Sequence, residues 1–363
     1  MEEKEHWKNS FSLVGSLVAV KDTERFKGYS ESVSASGWKS HKLNFNVKNN
    51  TGSHIVSLYA GCKANEAERV AYTMTKGDKD KGIKGEFIKV DWAKRNDKEL
   101  LETVAEFKKF VIVLGEDKRM EFIHELDFLN ALKKIMSSET YSNAKFRVMG
   151  EVQFQNYEGK VFQTLVPQRV YLVEADTESE SIANIDLFYT NDALTDCFED
   201  NKKVFLTNVY TRAYNSDLKA DESYKVESIV ADFSVMKEEM QEKAYKKFIE
   251  MFTVAQDEVK NVGLKLKLVN GVTKIEITEE HLTDEQREMI ELGFMSFADI
   301  KRELGGNMNG DKVKEMQFAG LSRGFSSGAI ETDLTIADLT NSKSIFEDEN
   351  ETDEDDIFGD MFN

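Results

Sequence analysis

The sequence predicts an α+β chain that is mainly β, with accessory helices and a disordered acidic C-terminal tail. Three observations predict it. Strand-period alternation recurs along the chain, glycines sit inside two of the alternating runs, and helical spacing takes over in the segments between them.

The run "SFSLVGSLVAVK" places Phe11, Leu13, Leu17 and Ala19 on one parity, with Gly15 inside it. A glycine within a strand marks a bulge or a sharp bend. After a polar loop over 22–37, "SHKLNFNVK" turns Leu43, Phe45 and Val47 inward and Lys42, Asn44, Asn46 and Lys48 outward. "NNTG" then predicts a hairpin into "SHIVSLYAG", and "EFIKVDW" and "KFVIVLG" supply two further strands. A bent first strand, a meander and later strands that close the sheet are the parts of a five-stranded OB-like β-barrel. In "MEFIHELDFLNALKKIM", Phe122, Ile123, Leu126, Leu129, Leu132 and Met136 recur at helical spacing, which predicts an amphipathic helix packed on that barrel.

A similar unit begins at residue 144. Phe146, Val148, Val152 and Phe154 share a parity around Gly150, "NYEG" turns the chain, and two more strands flank Pro167, the one proline. "KVFLTNVYTRAY" and "YKVESIVADF" read as later strands of this second barrel, and "MKEEMQEKAYKKFIEMF" as its helix. Asn270-Gly271 within "LKLKLVNGVTKIEIT" is the strongest short-range hairpin signal. Thr283 followed by Gln286 is a helix-opening capping box. One or two OB-like barrels are therefore expected. Residues 1–140 form the first with its following helix, residues 141–320 a second barrel-like domain with accessory helices and a hairpin, and residues 321–363 a flexible linker and tail. Turn and charge clusters at 137–144, 174–184 and 320–329 mark the candidate boundaries.

A length of 363 residues suits two domains at the usual ~100–200 residues each. No 18-residue apolar run suggests a membrane span. The opening "MEEKEHWKNS" lacks the basic and apolar regions of a signal peptide, so a cytoplasmic location is expected. Cys62 and Cys197 give neither a disulfide framework nor a zinc-ligand spacing, and two reduced, buried thiols are expected. The net charge of −19 is uneven: residues 1–150 hold 26 Lys+Arg against 22 acids, and residues 151–363 hold 22 against 45. An anionic ligand therefore suits the N-terminal half, although the whole chain is not a basic protein.

Nothing in the sequence supports an enzyme, and neither a cofactor nor a metal is expected. "GGNMNGDK" (305–312) has the glycine spacing of a phosphate loop, but Asp311 stands where Lys must follow the second glycine, which leaves a surface loop. His6, His41, His54, His124 and His281 show no paired ligand spacing. His41 and His54, on neighbouring strands, read as solvent-facing. No nucleophile elbow or Cys-His signature is present.

Aromatic residues interleaved with basic ones do stand out in the N-terminal half. Trp38 lies beside Lys39 and Lys42, while Lys79, Lys81, Lys84, Lys89, Lys94 and Arg95 surround Phe87 and Trp92. Cations that track phosphates and aromatic faces that stack bases, at ~1–3 kcal/mol each, are the needs of sequence-independent single-strand binding. Phe87 and Trp92 cannot both face outward from one strand. Trp92 shares parity with Ile88 and Val90 and is expected in the core, which leaves Phe87 beside Lys89 as the stacking residue.

The chain closes with "SIFEDENETDEDDIFGDMFN", which holds nine acids and no basic residue over 344–363. Such a segment repels itself into disorder. Asp353, Glu354, Asp355 and Asp356 lead into Ile357, Phe358, Met361 and Phe362, apolar side chains placed for a partner's pocket. With the expected barrels and the aromatic-basic half, the chain resembles the single-stranded DNA-binding proteins carried by phages. "DEDDIF" is similar to the acidic tail of bacterial single-strand-binding proteins, but it lacks their proline, and the chain runs on to Asn363 where they end in phenylalanine. The resemblance implies sequence-independent coating of single-stranded DNA in replication or recombination, recruitment of replication or recombination proteins through the tail, and a host-cytoplasmic location if the gene is a phage's. The rival reading is an acidic β-barrel interaction or assembly scaffold that binds no nucleic acid.

Overall fold

The computed structural model describes residues 9–24, 26–77, 82–157, 160–215, 218–276, 282–299, 307–322 and 330–340. The tail residues named above lie outside them, as do Lys79 and Lys81.

The first strand, β1 (Ser10–Ala19), serves three neighbours and changes partner just after Gly15. A Cβ at Gly15 would overlap the Lys48 carbonyl, so only glycine permits this approach. Strands β2 (Tyr29–Val33), β3 (Trp38–Asn49) and β4 (Gly52–Lys63) follow as a meander. Residues 64–109 then form an inserted lobe with the two-stranded sheet of β5 (Val70–Met74) and β6 (Phe87–Asp91) and with α1 (Lys98–Thr103), after which β7 (Phe110–Val113) and β8 (Arg119–Phe122) rejoin the main sheet. Helix α2 (Glu125–Met136) buries Phe128, Leu129, Leu132 and Ile135, the stripe its spacing predicts.

The next hairpin corrects the sequence-based assignment. β9 (Lys145–Tyr157) runs antiparallel to β1, with Leu13 opposite Val148. β10 (Lys160–Val173) pairs with β9 and sets Leu165 parallel to Val56 of β4. The circuit β1–β3–β4–β10–β9 thus closes an OB-like barrel around Phe11, Phe45, Val56, Phe146 and Val148. Residues 145–173, read from sequence as the start of a second unit, are the fourth and fifth strands of the first. Alternation reveals which face of a strand is buried but not which strand lies beside it.

The second barrel begins with β11 (Glu180–Tyr189), just after the acidic cluster at 174–179. Then come β12 (Leu194–Cys197), α3 (Phe198–Asn201), β13 (Lys203–Leu206), β14 (Val209–Asn215), β15 (Ala220–Lys225) and β16 (Ile229–Asp232). β13 with β14 and β15 with β16 behave as two long strands, each broken once. Phe205 faces Val230 and Thr211 faces Tyr224 in one continuous register. Helix α4 (Glu238–Phe252) buries Phe248 and Phe252. β17 (Lys260–Glu276) pairs with β11, and β18 (Asn307–Leu321) pairs with β17 and runs parallel to β16. Between the last two lies α5 (Asp284–Glu291), opened by the predicted Thr283–Gln286 capping box. β19 (Ile330–Glu331) and α6 (Ile336–Thr340) end the described chain. Each barrel is a meander, then a helix, then a hairpin whose last strand runs parallel to the meander's last strand, β10 to β4 and β18 to β16.

Two further expectations give way. Asn270-Gly271 makes no turn, because β17 runs straight through it. There the chain meets the first barrel: the Asn270 N–H donates to Thr51 O at 3.0 Å, and a Cβ at Gly52 would overlap the Asn270 carbonyl. The segment 305–312, expected as a loop, contributes residues 307–312 to β18.

The barrels are fused. β1 and β11 pair antiparallel, with Phe11 opposite Ala183. Buried Asn9 reaches across the junction: its Nδ2 donates to Thr211 Oγ1 at 2.9 Å, and its Oδ1 accepts from the Asp186 N–H at 3.0 Å. Asn49 Nδ2 bonds the Val14 and Glu180 carbonyls at 2.9 and 3.0 Å. Among the described residues no helix is long and apolar enough to cross a membrane.

Candidate nucleic-acid interface

In OB-type barrels the face of the second and third strands receives oligonucleotides. Here those strands are β3 and β4. Their register sets Trp38 opposite Lys63, Lys42 opposite Tyr59, Asn46 opposite Ile55 and Lys48 opposite Ser53. These residues lie on the parity opposite the buried Leu43, Phe45, Val56 and Leu58, so the meander presents them outward.

Trp38 is 42% exposed and Tyr59 47% exposed. The Trp38 ring lies over the backbone of Gly61, where any Cβ would overlap it. The Tyr59 hydroxyl donates to Ser40 Oγ at 2.7 Å. Asn44 is fixed by Lys27 O and Ser57 Oγ, both at 2.7 Å. Two aromatic faces are thereby held on a rigid, hydrogen-bonded sheet. Lys42, Lys48 and Lys63 have no ion pair among the described residues, whereas Lys39, on the other parity, pairs with Glu31 at 2.5 Å. That bond, joined by one from Tyr29, holds the Glu31 carboxyl below its usual range.

A second aromatic surface lies on the inserted lobe. Phe87 is 67% exposed and Tyr72 55% exposed, and their rings stack with centroids 5.9 Å apart and planes 13° from parallel. Lys89 stands opposite Tyr72, and Lys84 is also exposed. Beneath them Ala71, Val90, Val104 and Ile123 form a small core.

Lys94 is exposed, but Arg95 is engaged. Its guanidinium grips Asp127 with two bonds of 2.6 and 2.9 Å and covers the Trp92 ring at 4.0 Å. Trp92 is therefore not a core residue as its parity suggested. Strand β6 ends at Asp91, the chain turns at Trp92–Lys94, and the half-buried indole lies between Arg95 and the edge of His124. His41 and His54, expected to face solvent, are both buried. His54 Nε2 lies 2.9 Å from Thr51 Oγ1, and burial pushes its pKa down to about 4. Cys62 is buried and Cys197 half-buried, and both are free thiols.

Sequence reasoning missed Ile55, Tyr59, Gly61, Lys63 and Tyr72. For the first three the signal was present, since "SHIVSLYAG" places Ile55, Tyr59 and Gly61 opposite in parity to its apolar Val56, Leu58 and Ala60.

No protein-family model matches the chain, and no curated protein matches it. Among solved structures, it is similar to the wild-type single-stranded DNA binding protein from Thermus aquaticus, at 11% identity and a TM-score of 0.30, over 73% of this chain and 86% of that one. A deletion mutant of the same protein aligns at 11% identity and a TM-score of 0.29, over 73% and 88% of the two chains. The barrel assignment rests on the strand pairings described above.

Proposed function

We propose that this protein binds single-stranded DNA without sequence preference on the outer face of β3 and β4. One observation carries this reading: the indole of Trp38, its Nε1 edge seated against Gly61, beside Tyr59 on a sheet whose lysines Lys42, Lys48 and Lys63 lack acidic partners among the described residues. Aromatic faces accept any base, and free ammonium groups meet the backbone phosphates. Phe87, Tyr72, Lys84, Lys89 and Lys94 extend the surface onto the lobe, with Lys79 and Lys81 in the adjoining segment. Arg95 is left out, because Asp127 holds it, and so is Lys39, held by Glu31.

The biological setting that suits such an activity is the coating of single strands in phage DNA replication or recombination, in the host cytoplasm. The acidic tail would recruit replication or recombination proteins through Ile357, Phe358, Met361 and Phe362. Intrinsic fluorescence during titration with oligo-dT tests the reading. Quenching of the Trp38 contribution, absent in Trp38→Phe, is expected, with an affinity whose log-log salt slope is about −0.7 per phosphate neutralised. An unchanged spectrum and no retention of oligo-dT at low salt would favour the acidic scaffold instead.

A further inference from the structure

The second barrel has the same outer face, and part of it is covered. Tyr210, Arg212 and Tyr214 of β14 stand opposite Lys225, Ser223 and Asp221 of β15, on the parity opposite the buried Thr211 and Tyr224. Phe188 of β11 lies on the same side, alternating with the core residues Leu187 and Tyr189, yet it is fully buried.

What buries it is the end of the described chain. Ile330 pairs with Asn261 of β17. Beyond it Leu334, Ile336 and Leu339 pack with Phe188, Val259 and Tyr210, and Leu339 is wholly enclosed. Ser223 Oγ donates to the Asp338 carbonyl at 3.0 Å. The Asp338 carboxylate accepts from the Thr335 hydroxyl and N–H, both at 2.7 Å. Those bonds, with the Arg212 charge, hold its carboxyl below the usual range.

We infer that residues 330–340 are a displaceable strap over a second face for single-stranded nucleic acid, on β14 and β15. The inference rests on the proposed single-strand binding. Beneath the strap lie the aromatic rings of Tyr210 and Phe188 beside Arg212, and Tyr214 and Lys225 stand exposed next to them on the same face; together they are the mixture that stacks bases and meets phosphates. Among the described residues the strap's contacts include a short β pairing, the apolar side chains of Leu334, Ile336 and Leu339, the Ser223–Asp338 hydrogen bond and the attraction of Arg212 for Asp338. It leads directly into residues 344–363 with their nine acids, which an approaching polyanionic strand repels. A strand bound on β14 and β15 replaces the strap's contacts, so the strap-free state is favoured in proportion to its affinity for the strand.

The experiment measures the number of nucleotides occluded on poly-dT. Four forms are compared: the full chain, a form lacking 341–363, a form lacking 330–363, and the full chain with Ile336→Ser and Leu339→Ser. The form lacking 330–363 and the double-serine form should occlude more nucleotides than the other two, by on the order of 4–16, the span of one OB face. Their affinity should also fall more steeply with salt. Equal occlusion in all forms that bind overturns the strap alone and leaves the first-barrel site standing. Absence of binding by every form overturns both readings. If the form lacking 330–363 does not fold, the double-serine variant decides. If neither folds, the segment is structural and not displaceable.

Discussion

The indole of Trp38 occupies the space that a side chain on Gly61 would need. Trp38 stands at the end of β3 opposite Lys63, and Gly61 faces Ser40 one step along, so the ring crosses diagonally from one strand to the next. Gly61→Ala should lift the ring from the sheet. We expect a loss of single-strand affinity of up to ~1–3 kcal/mol, the worth of one stacked base, with little change in melting temperature. An oligo-dT titration beside a thermal melt checks it, and unchanged affinity would remove Trp38 from the interface.

The Tyr72–Phe87 stack gives an independent measure of the lobe. Both rings are mostly exposed, so their mutual stacking contributes toward the low end of about 0.5–1.5 kcal/mol to the fold. Phe87→Ala should weaken oligo-dT binding by ~1–3 kcal/mol, and Tyr72→Ala should do so comparably. In a double-mutant cycle the two losses should fall short of additivity, because removing one ring leaves the other poorly placed. Additive losses would mean that each ring meets the strand separately.

Arg95 should behave as a structural residue. Its two bonds to Asp127 join the turn after β6 to α2, and both side chains are largely buried. Arg95→Ala should cost about 1.5–3 kcal/mol of stability, the usual worth of charged hydrogen bonds. The salt slope of DNA binding should be unchanged. A slope shallower by ~0.7 would show that Arg95 neutralises a phosphate after all.

Acid sensitivity should localise to the barrel junction. Burial holds His54 neutral down to about pH 4, whereas in the unfolded chain its pKa is about 6.5. Between those values the unfolded state binds more protons, so stability rises with pH. The contribution is fully present above about pH 6.5 and is lost as pH falls toward 4, on the order of 3 kcal/mol in all. Denaturant unfolding at pH 7.5 and 4.5 should show that loss, and His54→Gln should reduce it. Identical pH dependence in the variant would assign the loss elsewhere.

The tail's acids and its apolar tip should separate experimentally. Deleting 344–363 should tighten DNA binding at low salt, an effect that fades as the screening length drops below ~8 Å. Phe358→Ala with Phe362→Ala should leave DNA affinity unchanged but abolish capture of replication or recombination proteins from host extract. Each covered side chain contributes ~1.5–3 kcal/mol. Retention of every captured protein by the double variant would reduce the tail to a solubilising segment.

Local features were legible in the sequence where local chemistry decides them. Gly15 marks the close approach of β1 to Lys48, the parity of Leu43, Phe45 and Val47 gives the inward face of β3, and Thr283 with Gln286 opens α5. Partnership between distant strands was not legible. Nothing in "AKFRVMGEV" says that Val148 lies beside Leu13, because the pairing depends on chain closure and not on pattern. Asn270-Gly271 shows the same limit. Its turn chemistry yields to close contact with Gly52 of the other barrel, for which glycine is equally suited. Trp92 was misread because periodicity was extended one residue past the end of its strand.

The position of β1 also sets the order in which the protein can be made. Both of its edges over residues 10–14 are occupied in the finished molecule, one by β9 and the other by β11. On a ribosome that strand emerges well before either partner. Until Val173 has left the exit tunnel the first barrel is an open sheet with unpaired edges, the kind of surface that templates association with other chains. Even then one edge of β1 waits for β11. Long-range closure of this sort folds slowly. A fragment ending at residue 140 would therefore be no half-sized version of the protein but a nascent chain stopped before closure.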